Sequence, residues 1–255
     1  MNSPETSTPE PGLEATAEMS FGERLTGVYF EPAKTFDSIN RKPTWLGLYI
    51  LVAILTVGVT YALTMRMDYR TYMTKAMQMN PLTRNLSEEQ LEQILAQEPG
   101  AFRRYSGIFF APIGVLVGYL ILTAVFLVVF ILMGASIGFR KSMAVTVWGM
   151  GPPGIIVAIL SVVFVMVKDP QTLDINVVNN VVSNLGPLVS SKDQPVLHSL
   201  LSSIDLFSIW TIYLLSVGFA AVSDRKLTPG RAATGIVVLW LLWVVGKAGF
   251  ASWLG

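Results

Sequence analysis

The sequence predicts an all-α integral membrane protein: a five-transmembrane-helix bundle with amphipathic interfacial and extracytoplasmic helices. Three observations predict it. Hydrophobic residues make up 52% of the 255 and charged residues only 14%, against about 25% charged in soluble domains. The apolar residues gather in blocks of eighteen or more, the length that reads as a membrane-crossing helix. Basic residues cluster in two short loops between such blocks, as the positive-inside rule requires of cytoplasmic loops.

The same composition narrows the function. A net charge of +1 gives nucleic-acid binding no electrostatic support. There is no cysteine, so disulfides, thiolate nucleophiles and zinc-thiolate sites are excluded. The N-terminus lacks a basic n-region and an apolar h-region, so the first membrane helix is expected to serve as the insertion signal.

Taken in order, residues 1–19 are rich in Pro, Ser, Thr and Glu and read as a solvated, disordered acidic tail. Ser20 and Glu23 have the spacing of a capping box. Phe21, Leu25, Val28 and Tyr29 then share one helical face. Pro32 stops that helix and starts another, which carries Phe36 and Ile39. Residues 20–42 are therefore expected to lie on the membrane surface as a cytoplasmic amphipathic segment, held by Phe21, Leu25, Val28 and Phe36. Arg41, Lys42, Pro43 and Trp45 suit the point where the chain enters the bilayer.

The membrane domain is expected over 43–255, with spans at about 45–65, 107–134, 143–167, 205–223 and 230–253. Arg140 and Lys141 lie between the second and third spans. Arg225, Lys226 and Arg231 lie around the fourth-to-fifth loop. Both loops and the N-terminus fall on one side, which predicts a cytoplasmic N-terminus and an extracytoplasmic C-terminus in the cell membrane. On the other side, Ser87 to Gln97 reads as a capped helix with Leu91, Ile94 and Leu95 on one stripe. Ile175, Val178, Val182 and Leu185 recur at helical spacing, and Pro195 opens a helix bearing Leu197, Leu200, Leu201 and Ile204. These segments are expected to pack on the outer ends of the bundle.

The third span contains the stretch VWGMGPPGIIVAIL, residues 147–160. Gly149, Gly151 and Gly154 match the G-x-G-x-x-G pattern of a dinucleotide cradle. Such a cradle needs a preceding strand and backbone N–H groups aimed at phosphate, and Pro152 and Pro153 have no N–H. Each proline also deprives the carbonyl four residues back of its helical partner, so the carbonyls of Trp148 and Gly149 must find protein, water or a cation. The favoured expectation is a kink packed against its neighbours. The sharper one is a broken helix lining a solute or ion site.

Other candidates weigh less. Met65, Met67, Met73, Met77 and Met79 could suit Cu(I), but methionine is also an adaptable core filler. The only histidine, His198, has no evident catalytic partner. Gly114 and Gly118 form G-x-x-x-G in the second span, repeated by Gly134 and Gly138, and are expected to allow close helix contact within the chain. Asp205 and Lys247 fall inside span ends at similar depth. They are expected to form an ion pair, or each to meet a polar group of a neighbouring span. No metal-protease, hydrolase or P-loop motif occurs.

Two stretches carry a family signal: LTGVYFEPAKTFDSINRKPTWLGLYIL over 25–51, and IDLFSIWTIYLLSVGFAAVSDRKLTPGRAATGIVVLWLLWVVGKAG over 204–249. With the Gly/Pro-bearing third span, they resemble bacterial members of the Yip (Ypt-interacting protein) domain family. The resemblance implies five membrane helices, a cytoplasmic N-terminus and no known enzymatic activity. Eukaryotic relatives associate with Rab-type GTPases in membrane traffic. The expected function is a non-enzymatic interaction or membrane-organising protein working with other membrane machinery. The alternative is a small-solute or ion transporter or channel using the Pro-broken third span. No cofactor or metal is expected. The expected partners are the lipid bilayer and another membrane protein or a second copy of the chain.

Overall fold

The computed structural model describes residues 18–79, 83, 86–96, 100–170, 173, 184–189, 193–224 and 226–254. Most of the expected tail, and most of the expected helix over 175–185, lie outside the described residues.

The described chain is helical. Two short helices, α1 (Phe21–Phe30) and α2 (Pro32–Arg41), precede the first long one, α3 (Leu46–Arg66). α4 (Tyr69–Met79) and α5 (Glu88–Leu95) follow, then α6 (Ala101–Leu132) and α7 (Phe139–Val167). A 3-10 turn (Gly186–Leu188) leads to α8 (Pro195–Leu201), α9 (Leu206–Val222) and α10 (Pro229–Leu254). An isolated antiparallel bridge joins Asn184 to Asp205.

The boundaries follow local chemistry. Ser20 and Glu23 form the expected capping box at α1, and Ser87 and Gln90 form the one at α5. Each box satisfies backbone donors that a helix start otherwise leaves orphaned. Pro32 stands at the first turn of α2, where its missing N–H costs nothing. α6 ends in a Schellman motif: Gly134 adopts φ +88°, its N–H reaches the Ile131 carbonyl, and the Ala135 N–H reaches the Phe130 carbonyl. The Gly134–Gly138 pair is thus not a helix face: Gly134 ends α6, and Gly138 caps α7.

Among the described residues, four helices are long and apolar enough to cross a membrane: Leu46–Arg66, Arg104–Leu132, Phe139–Val167 and Pro229–Gly249. α9, at the position of the expected fourth span, is a shorter apolar helix of 17 residues. α7 runs helical through Pro152 and Pro153, which gives no support to the sharper expectation of a broken third span. It is also the central element. Every residue from Ser142 to Gly149 is buried, because α1, α2, α3, α6 and α9 all pack on it. Phe36, Phe130, Trp148 and Phe219 are the largest fully buried side chains of the core. A smaller cluster around Val59, Met67, Val165 and Leu173 joins α3 to α7 at the other end.

Candidate functional site

Two features gather the polar chemistry of the bundle. The first is the cap formed by α1 and α2. Arg24 is 3% exposed, yet among the described residues no carboxylate bonds its guanidinium. Nε donates to Ser38 Oγ at 3.2 Å and Nη2 to the Ser38 carbonyl at 3.1 Å. Nη1 donates to the Lys42 carbonyl at 3.0 Å and to Thr44 Oγ1 at 2.9 Å. The Ser38 carbonyl belongs to the last turn of α2 and the Lys42 carbonyl lies just past it. Arg24 therefore places a cation where the helix dipole favours one. Burial pushes the Arg24 pKa down, and the Glu18 carboxylate opposes that shift. The fixed fork of five donors ties α1, α2 and the lead into α3 together.

The cap is also bonded to the bundle. Tyr29 Oη donates to the Pro152 carbonyl at 2.9 Å, and its ring packs on Trp210 with centroids 5.4 Å apart. Burial pushes the Tyr29 pKa up. Trp148 Nε1 donates to the Thr44 carbonyl at 2.8 Å while Phe21 packs on the Trp148 ring. Asn40 Nδ2 reaches the Ala221 carbonyl at the end of α9. Val28 and Phe36 are both fully buried. Leu25 packs against the same core, and Phe21 is half exposed. The apolar face that the sequence directs toward lipid is thus largely covered by protein. Its physical reason is close approach: a Cβ on Gly218 would stand 2.8 Å from Phe36 Cε1 and 2.6 Å from Val145 Cγ1. Only glycine there lets α2, α7 and α9 meet.

The glycines of the third span act the same way. A Cβ on Gly149 would fall 2.6 Å from Leu215 Cδ2 of α9, and one on Gly151 would fall 3.1 Å from Leu48 Cδ2 of α3. Pro152 and Pro153 are buried. Gly154 has open space around it.

That space belongs to the second feature, a cavity of about 740 Å³ between α6, α7, α9 and α10. Met150, Pro153 and Val157 form one wall, and Trp240 and Trp243 another. Asp205, Ser208 and Thr211 supply the polar groups at one end, from the first turns of α9. Asp205 is the N-cap of α9. Its Oδ1 accepts from the Phe207 and Ser208 N–H groups, each at 2.9 Å, and its Oδ2 accepts from the Ser208 hydroxyl. Lys247 donates to Ser202 Oγ at 3.3 Å and lies 5.1 Å from the Trp243 ring centroid. None of the ion pairs among the described residues joins Asp205 to Lys247. Each instead meets other polar groups: Asp205 its own helix start, Lys247 the Ser202 hydroxyl beyond α8.

Met67 is buried in the smaller core cluster and Met65 is half exposed. His198 Nδ1 lies 3.0 Å from the Val189 carbonyl. Gly114 and Gly118 have nothing within 4 Å where a Cβ would stand, so they mediate no close contact among the described residues. Sequence reasoning missed the roles of Arg24, Thr44 and Asp205. Only Asp205 had a readable signal, an aspartate immediately before an apolar helix.

Compared with known families, the chain matches the model of the Yip1 domain over residues 26–250, well over half its length. No curated protein and no solved structure matches it.

Proposed function

The chain belongs to the Yip1 domain family, and from that premise we propose that it is a non-enzymatic multi-pass membrane protein that organises other membrane machinery. Its working surface is the α1–α2 cap. The supporting observation is how that cap is held. Arg24, Tyr29, Val28 and Phe36 fix its inner side to the bundle. Its outer side presents Phe30, 85% exposed, beside a groove lined by Glu18, Glu23, Glu31 and Lys34. A rigid apolar anchor ringed by charge suits a protein partner, because little ordering entropy is lost on contact. The partner is another membrane protein or a second copy of this chain.

In this reading α9 completes a five-span bundle. Its 17 residues measure roughly 26 Å at 1.5 Å per residue, near the ~30 Å hydrocarbon thickness. The cap and the basic Arg140–Lys141 loop face the cytoplasm, and the C-terminus lies on the opposite side. The Yip family is not known for enzymatic activity, which fits the proposed role. Transport gains no support, since α7 is uninterrupted.

The test is photo-crosslinking in native membranes, with the reactive group at position 30, position 34 or, as a control, lipid-facing position 128. Discrete protein adducts at 30 and 34 but not at 128 support the cap as a partner surface. Lipid adducts alone at all three positions contradict it.

A further inference from the structure

The cavity between α6, α7, α9 and α10 carries an inference beyond the interaction role and independent of it. At about 740 Å³ it falls within the ~300–1,000 Å³ of small-molecule sites. It follows α9 from Asp205 to Leu215, roughly 15 Å by helix rise. Its deep part is hydrocarbon: Met150, Leu215, Ile236 and Leu239. Its polar end holds unmatched hydrogen-bonding capacity. Among the described residues, no hydrogen bond is made by the Thr211 hydroxyl, although Thr56, Thr60 and Thr64 each bond the carbonyl four residues back. Asp205 accepts three bonds where a carboxylate can accept about four. Among the described residues, Lys247 makes one long hydrogen bond where an ammonium has three donors. A negative group thus lines the cavity, and a positive one lies over the ring of its wall residue Trp243, and no ion pair among the described residues joins the two.

We propose that this cavity binds a phospholipid with an amine headgroup, of the phosphatidylethanolamine class. One acyl chain fills the apolar part. The headgroup ammonium meets Asp205 and the phosphate meets Lys247. Charge complementarity selects this occupant: the charge on the cavity wall is a carboxylate, which repels an anionic headgroup, and the nearby lysine takes the phosphate. Asp205 lies at the end of the bundle away from the cap, since the opposite end of α9 bonds Asn40.

Native mass spectrometry of the full chain, in detergent with equimolar phosphatidylethanolamine and phosphatidylglycerol, tests this. The expected result is preferential retention of one phosphatidylethanolamine. Asp205→Asn removes the charge but keeps the N-cap, because asparagine caps as well as aspartate. It should reduce the preference by about tenfold, the scale of one lost charge-assisted hydrogen bond, with thermal stability unchanged. Thr211→Leu, which fills the cavity, should lower retention of both lipids. Free phosphoethanolamine, lacking a chain, should not displace the bound lipid. Equal retention of the two lipids by the unsubstituted protein, or an unchanged preference in Asp205→Asn, overturns the proposal.

Discussion

The phenolic hydroxyl of Tyr29 donates to the main-chain carbonyl of Pro152 at 2.9 Å, across 123 positions of sequence. A residue of the N-terminal cap thus adds a hydrogen bond to a carbonyl in the double-proline stretch of the central helix. Tyr29→Phe keeps the ring on Trp210 and removes only this bond. Stability in detergent should fall by about 1 kcal/mol, the usual net worth of a buried hydrogen bond, read from thermal unfolding.

Tyr29 also predicts a pH dependence. Burial raises its pKa above 10.0 in the folded protein, so between the unfolded and folded pKa values the folded state holds more protons. Stability is then fully present below pH 10 and falls as pH rises through that window. Unfolding curves of the unsubstituted protein and Tyr29→Phe should converge above pH 10. Parallel curves across that range would show that the hydroxyl is not buried in this way.

Arg24→Ala removes four hydrogen bonds and leaves the Ser38 and Lys42 carbonyls without their cation. A loss of about 2–3 kcal/mol is expected, the scale of bonds to a charged group left unmade. Arg24→Lys should recover only part, because an ammonium cannot span the same fork of acceptors. A denaturant titration of both variants checks the order.

The glycines separate into two classes. Gly149→Ala sets a Cβ 2.6 Å from Leu215 Cδ2. Overpacking of ~1–3 kcal/mol there outweighs a helix gain of ~1 kcal/mol. Gly154→Ala meets open space and should be neutral or stabilising. Equal effects on the melting temperature would contradict the packing described.

Asp205 and Lys247 should behave independently in lipid-free detergent. Asp205→Ala loses an N-cap, about 1 kcal/mol, and Lys247→Ala loses a bond to Ser202. The double variant should equal the sum within ~0.5 kcal/mol. A larger coupling would restore the ion pair that their depths suggested.

Local chemistry made the helices legible. Ser20, Ser87, Pro32 and Pro195 each mark a start because caps and prolines act within one turn. The span blocks were legible because apolar length is a property of the strand of sequence itself. What covers an apolar face is not. Val28 and Phe36 have the spacing of a surface helix whether lipid or protein lies opposite, and the deciding residue, Gly218, is 182 positions from Phe36. Arg24 reads as one more basic anchor, since its acceptors Ser38 and Thr44 become partners only after α1 folds back on α2. The double proline left a packed kink and a broken helix both open because the helical bonds it removes are certain, whereas the neighbours that crowd Gly149 and Gly151 come from α9 and α3.

α1 and α2 pack as part of the bundle, with Val28 and Phe36 fully buried. Hydrogen exchange over residues 21–41, compared between nanodiscs and detergent, tests this most directly. The structure predicts slow exchange in both environments, close to that of the buried stretch of α7 at 142–149. Protection that is present in nanodiscs and lost in detergent would mean that lipid, not protein, holds these helices, and would contradict it.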